Sequence, residues 1–233
     1  MRKFWSLLLD EIAGGRGPES SGGDGWRVGV YLTGCVSFSL GAHFFIYSGL
    51  GTDPLDVFSL GVLRHLPLTI GICQGFIAVL CVGGWALWNR RRPLFMPFFT
   101  FFFCGSVIDV FQWIDVAGRM HAPHYPIMLI GTVLCAYASA LIIMSGIGIR
   151  PIDLLALSIR ERLGWKFWCA KASIEGTLLF TGWLMGGPVG VGTVCFLVFV
   201  DTLIQPCIWF NVRTLGMANH GFRSREPVLA GAS

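Results

Sequence analysis

Charge is what this sequence has least of. Only 13% of its 233 residues are Asp, Glu, Lys or Arg, against about 25% in an ordinary soluble domain. A soluble fold of this kind would lack the polar surface to cover its core. A disordered chain, a coiled coil or a nucleic-acid-binding arm would need more charge still, so no nucleic-acid partner is expected. Metal-binding spacings are missing too. The eight cysteines, Cys35, Cys73, Cys81, Cys104, Cys135, Cys169, Cys195 and Cys207, lie in apolar stretches with no C-x-x-C pair and no histidine at zinc-ligand spacing. They read as small apolar side chains in helix packing. There is no H-E-x-x-H, no G-x-S-x-G and no Walker A loop. The expectation is a protein that is not an enzyme and holds no cofactor or metal. Any transport would be driven by a gradient or by a partner ATPase.

What is present is apolar length. Hydrophobic residues make up 54% of the chain, and the mean hydropathy is +0.68. Six long apolar segments, 28–47, 69–88, 94–114, 125–144, 167–185 and 189–210, each approach the roughly 20 residues needed to cross a bilayer. Backbone groups in lipid must be satisfied internally, so these segments are expected to be helices. Two shorter stretches, 54–66 and 151–163, each begin with a proline, which suits the first turn of a helix. Trp85, Trp88, Trp113, Trp165, Trp168, Trp183 and Trp209 cluster at segment ends, as an interfacial belt would.

The basic residues set an orientation. With the N-terminus in the cytoplasm, the inner side holds Arg2, Lys3, Arg16, Arg27, the Arg90-Arg91-Arg92 run, Arg150, Arg160, Arg162, Lys166, Arg213, Arg223 and Arg225, and the outer side only Arg64 and Arg119. The positive-inside rule then places both termini in the cytoplasm of a bacterial cell, with the chain in the inner membrane. The expected organisation is a cytoplasmic tail over 1–27, with a short interfacial helix near residues 4–9 and a Gly/Ser linker over 13–26. A membrane unit over 28–116, an external loop over 117–124, a second membrane unit over 125–210 and a cytoplasmic tail over 211–233 follow.

The two membrane units repeat one another. Ser48-Gly49-Leu50-Gly51-Thr52-Asp53-Pro54-Leu55-Asp56 recurs as Ser145-Gly146-Ile147-Gly148-Ile149-Arg150-Pro151-Ile152-Asp153, 97 residues later. At the same offset Gly34 matches Gly131 and Gln74 meets Lys171. With a five-residue deletion in the second unit, Asp109 meets Asp201. Each unit reads as span, short proline-led helix, span, span. Three spans is odd, so the units are expected to lie upside down relative to one another. The predicted fold is all-α and membrane-embedded, with six transmembrane helices as two inverted repeats. Paired Gly/Pro-interrupted segments in inverted halves point to a transporter site.

With S-G-x-G-x-x-P-x-D present twice, the chain resembles the YczE/YyaS/YitT-like bacterial membrane proteins, most closely the YczE-type branch. The likeness is carried mainly by Gly49-Leu50-Gly51-Thr52-Asp53-Pro54-Leu55-Asp56 and extends over about residues 28–212. It implies a multi-pass inner-membrane location and architecture rather than an activity. Many YitT-type members carry a soluble C-terminal domain; here residues 211–233 follow the last span.

Several polar residues are candidates for function. Asp56 and Asp153 fall at the third position of their helices, where a carboxylate stabilises a helix end by about 0.3–1 kcal/mol. The alternative is that the two helix starts, with Gly49, Gly51, Asp53 and Pro54 in one copy and Gly146, Gly148, Arg150 and Pro151 in the other, form binding surfaces. Asp109 and Asp201 lie within spans, where a carboxylate costs about 2.5–3.5 kcal/mol and usually faces a cavity or a partner. They read as proton, cation or substrate sites, or else as interhelix struts to Ser106, Thr202 or Gln112. Lys171 and Glu175 are four apart on one helix face, either neutralising each other or with Glu175 lining a pathway and Lys171 tuning its proton affinity; Gln74, the repeat partner of Lys171, is a further pathway candidate. His43 reads as a packing residue, and His121 and His124 as a weak metal pair.

The function these features suggest is a small-solute transporter or permease working by alternating access, its partners the lipid bilayer and an unidentified small solute. The alternative is a non-transporting scaffold or accessory protein. That protein would pair with a second copy or another membrane protein through Gly34, Gly41, Gly131 and Ala138. A third reading, an intramembrane enzyme acting on lipids, would need a lipid at His121 and His124.

Overall fold

The computed structural model describes residues 24–90, 92–121, 123–148 and 150–217. The interfacial helix expected near residues 4–9, nearly all of the linker and the tail beyond 217 lie outside the described residues. Within them the chain is all helix, with no strand. The elements are α1 (Asp24–Ser48), α2 (Pro54–Leu63), α3 (Ile70–Asn89), α4 (Phe95–Ile114), α5 (Val116–Met120), α6 (His124–Ser145), α7 (Pro151–Leu163), α8 (Phe167–Leu184) and α9 (Val191–Thr214). A π-helical turn, Phe196–Val200, interrupts α9.

Five helices, α1, α3, α4, α6 and α9, are long and apolar enough to cross a membrane. Of the six segments marked on the sequence, the exception is α8, whose 18 residues include Lys171, Glu175 and the hydroxyls Ser173, Thr177 and Thr181. Large apolar side chains such as Phe76, Leu80, Leu129, Val133, Val194 and Phe199 are exposed on the outer surface, where only lipid could cover so much apolar area. The tryptophans follow the expected belt in part. Trp113, Trp183 and Trp209 are well exposed, whereas Trp85 is buried inside the bundle.

The two proline-led helices begin alike. Ser48 and Ser145 each donate back to a carbonyl three residues earlier, Phe45 at 2.7 Å and Ile142 at 2.6 Å. Each also accepts from the backbone N–H two residues on, at 3.3 Å. Gly49 and Gly146 follow at φ +66° and +64°, the left-handed conformation that glycine adopts without a steric penalty. Pro54 and Pro151 then open their helices, where a missing N–H costs nothing.

Packing exchanges elements between the two copies. The most extensive contact is between the two first helices, α1 and α6. It is built on small residues: a Cβ on Gly34 would stand 3.1 Å from the Ala138 carbonyl, and one on Gly41 would stand 3.0 Å from that of Gly131. The residues expected to face a partner protein are therefore used inside this chain. Helix α2 packs against α8, and α7 against α3. Gly61 meets Gly182 at the first junction, and Asn89 donates to Ser158 at 3.0 Å at the second. Gly51 lies against Thr193 at the start of α9, and Gly148 against Thr100 near the start of α4.

One contact has no counterpart. Helices α3 and α4 lie tightly together through Gly71 and Gly105, where a Cβ on Gly105 would come 2.7 Å from the Cα of Gly71. Helices α8 and α9 do not close on one another in this way. At the place of Gly105 the second copy has Leu197.

Candidate functional site

The opening between α8 and α9 is a cleft of about 340 Å³, lined by Pro54 of α2, by Lys171, Ala172, Glu175, Gly176 and Leu179 of α8, and by Leu197 and Asp201 of α9. Its wall is apolar except for three charged side chains. Lys171 Nζ donates to both carboxylate oxygens of Asp201 at 3.1 Å. It lies 3.6 Å from Glu175, one helical turn along α8, and 3.9 Å from Asp153 at the start of α7. One ammonium thus serves three carboxylates from three helices. Buried charge is tolerated only when it is paired and hydrogen-bonded, and here the Lys171 ammonium, with the Arg150 guanidinium nearby, faces the three carboxylates.

Local structure supplies each member. Asp201 follows directly on the π-turn, a wide turn often found at functional sites, and Pro206 removes a further backbone donor one turn later. Lys171 and Glu175 share a face of α8 because they are four apart. Asp153 sits at the third position of α7, as its distance from Pro151 predicts.

Asp109 has a different place from its repeat partner. Its two oxygens accept from the backbone N–H groups of Ile70 at 2.9 Å and Gly71 at 2.8 Å. It caps the N-terminus of α3, beside the local cap Thr69. The struts expected to Ser106 or Gln112 are replaced by these backbone bonds, and among the described residues no ion pair joins Asp109 to the cluster around Lys171. Gln74 donates to Asp56 Oδ1 at 2.7 Å. Asp56 thus takes its bond from α3, while the cap of α2 is Asp53, which accepts from Asp56 N at 2.7 Å. Arg150, at the position of Asp53, makes no capping bond through its side chain. Its guanidinium donates to Ser139 at 2.7 Å and covers the Phe38 ring at 4.7 Å.

The remaining candidates are held separately. His43 Nε2 accepts from Ala117 N at 3.3 Å. His124 bonds the Ser48 carbonyl at 2.9 Å and stacks on Tyr47, while His121 bonds the Arg119 carbonyl at 3.1 Å. Among the described residues no group of three or more metal-binding side chains forms. All eight cysteines are free, five of them buried and Cys169 exposed.

Sequence reading located Asp201, Lys171 and Glu175 individually and anticipated the pair along α8. It missed the Lys171–Asp201 bond and the approach of Asp153. The signal available was the repeat itself, which aligns Lys171 with Gln74 and Asp153 with Asp56.

Comparison with known proteins gives a family and no activity. The chain is 28% identical over 189 residues to "Uncharacterized membrane protein YczE" of Bacillus subtilis (strain 168), covering 81% of this chain and 88% of that protein. It is 28% identical over 168 residues to "Uncharacterized protein YyaS" of the same organism, covering 70% and 83%. An uncharacterized protein of Haemophilus influenzae is 24% identical over 187 residues, 76% of this chain and 81% of that one. No solved structure matches. Residues 25–208 match the family described as "Family of unknown function (DUF6198)". That match takes in both copies of the repeat and the whole cleft, and the chain belongs to this family of membrane proteins.

Proposed function

We propose that the chain is an inner-membrane transporter or permease for a small solute, working by alternating access of two inverted three-span repeats. The observation that carries this reading is the cleft between α8 and α9, with Lys171, Glu175 and Asp201 on its wall. A buried, partly compensated charge cluster beside an opening is costly to keep as a mere strut, and within membranes such clusters mark solute or ion pathways.

The sixth span in this reading is α8. Its 18 residues make a helix about 27 Å long, close to the roughly 30 Å hydrocarbon core, and its charged residues turn toward the cluster rather than toward lipid. Odd-numbered units set the two copies in opposite directions, and the crosswise packing of α2 on α8 and α7 on α3 suits such a pair. The arginine-rich loops favour cytoplasmic termini. The short helices α2 and α7 act as gates, Pro54 standing at the cleft itself. The chemistry is binding and passage without covalent catalysis.

The test is a solute library screened by thermal shift on purified protein, followed by flux of each hit into proteoliposomes. Asp201→Asn and Glu175→Gln abolish that flux at wild-type expression if the reading holds. Normal flux in both variants overturns the assignment of the cleft. A wild type that binds no solute and co-purifies with one stable partner favours the accessory role. Reporter fusions at Arg91 and Gly118 fall on opposite sides of the membrane in the proposed topology, and fusions on the same side dismantle it.

A further inference from the structure

The start of α2 holds a carboxylate that the cleft does not use. Asp56 is fully buried, and its Oδ1 accepts from Gln74. Its Oδ2 has no hydrogen-bond partner, and neither does the buried Thr52 hydroxyl one turn earlier. The side chain bonded to Asp56 is a neutral amide. The charged groups that face it are Asp53 at the cap of α2 and Asp109 on α4, both of its own sign. Arg150, the residue before α7, acts on Asp153 and Asp201 as well as on Asp53 and is itself held by Ser139 and Phe38. Lys171 of α8 is taken by Asp201, Glu175 and Asp153, and α6 brings the Cys135 thiol near.

Among the described residues no cation pairs with an ionised carboxylate in that setting. The end of α2 offers about half an elementary positive charge, which cannot balance a full negative charge with two like charges nearby. The second copy shows the alternative: Asp153, the repeat partner of Asp56, has Lys171 where Asp56 has Gln74. We propose that Asp56 is a proton-binding site, carrying an exchangeable proton on Oδ2 while Gln74 holds Oδ1. The proton turns an acceptor-only group into a neutral carboxyl with a donor of its own, and its release leaves a charge two residues from Pro54 on the cleft wall. The site stands whether or not the cleft transports a solute.

The experiment is infrared spectroscopy of the full chain in lipid at neutral pH, in H2O and D2O. A Glu175→Gln background removes one buried carboxyl of the Lys171 cluster, so that it contributes no band of its own. A deuteration-sensitive protonated-carboxyl band is expected there. It is lost in Asp56→Asn and kept in Asp153→Asn. It is also lost in Gln74→Lys, which installs the second copy's partner while leaving the carboxyl in place, so the question remains answerable if Asp56→Asn fails to fold. A band unchanged in both Asp56→Asn and Gln74→Lys overturns the proposal. So does absence of the band before either change. Its removal by exchanging potassium for sodium at constant pH also overturns it, making the occupant a metal cation.

Discussion

The two copies of the repeat solve one problem in opposite ways. Each carries an aspartate at the start of its short helix, a polar residue on its second long helix and an aspartate on its third. In the first copy Gln74 meets Asp56, Asp109 caps α3, and Gly71 and Gly105 draw α3 and α4 together. All of these contacts hold helices together, and only Oδ2 of Asp56 is left without a partner among them. In the second copy Lys171 gathers Asp153, Glu175 and Asp201, and two of the helices that carry them, α8 and α9, stand apart around a cleft. The same short motif stands in both halves. A neutral amide against an ammonium, and a glycine against a leucine, separate a sealed half from an open one.

The largest effect should come from removing the ammonium. Lys171→Met leaves three carboxylates without their shared cation, a loss of about 3–5 kcal/mol for a broken buried pair. Gln74→Met removes one hydrogen bond to a buried carboxyl and costs less. Unfolding of both variants in one detergent, followed by circular dichroism, ranks them. Equal losses would mean that the two sites are not different in kind.

Asp109→Ala comes next. Two backbone N–H groups at the start of α3 lose a charged acceptor, worth about 1.5–3 kcal/mol. Midpoint temperature falls while solute flux per folded molecule is unchanged, the reverse of the pattern expected for Asp201→Asn. Gly105→Leu brings the second copy's residue into the first. The overpacking costs about 1–3 kcal/mol as α3 and α4 are forced apart, whereas Leu197→Gly is far milder because α9 borders open space there. Comparison of the two melting curves checks that asymmetry.

Much of this was legible in the chain, and the reasons for the rest are physical. Apolar length marked the five helices long enough to cross a membrane, and proline with its paired glycines marked α2 and α7 because backbone geometry at those turns is local. Charge pairing across helices was not legible. Lys171 and Glu175 share one helix, so their spacing announced them; Asp201 lies 30 residues away on α9. Capping is usually a local affair, as Thr69 beside α3 illustrates, whereas Asp109 lies 39 residues on from Ile70 and its capping role was not legible. The gap between α8 and α9 had no sequence signature apart from Leu197 standing in the place of Gly105, a difference that acquires meaning only once packing is seen.

The smallest effect tests the crosswise packing common to both halves. Ser158→Ala removes the partner of Asn89 between α7 and α3 and should lower stability by about 1 kcal/mol. No change at all would argue against a close junction there.

The most direct measurement is solvent access at one pair of repeat-related positions. Ala172, on the cleft wall, corresponds to Gly75, which is buried in the sealed half. Each is replaced by cysteine in a protein freed of its native cysteines, the exposed Cys169 included, and treated in proteoliposomes with a water-soluble maleimide. Ala172→Cys is expected to label and Gly75→Cys to stay unmodified. Equal labelling at the two positions, or labelling of Gly75→Cys alone, would contradict the division of the molecule into an open half and a closed one.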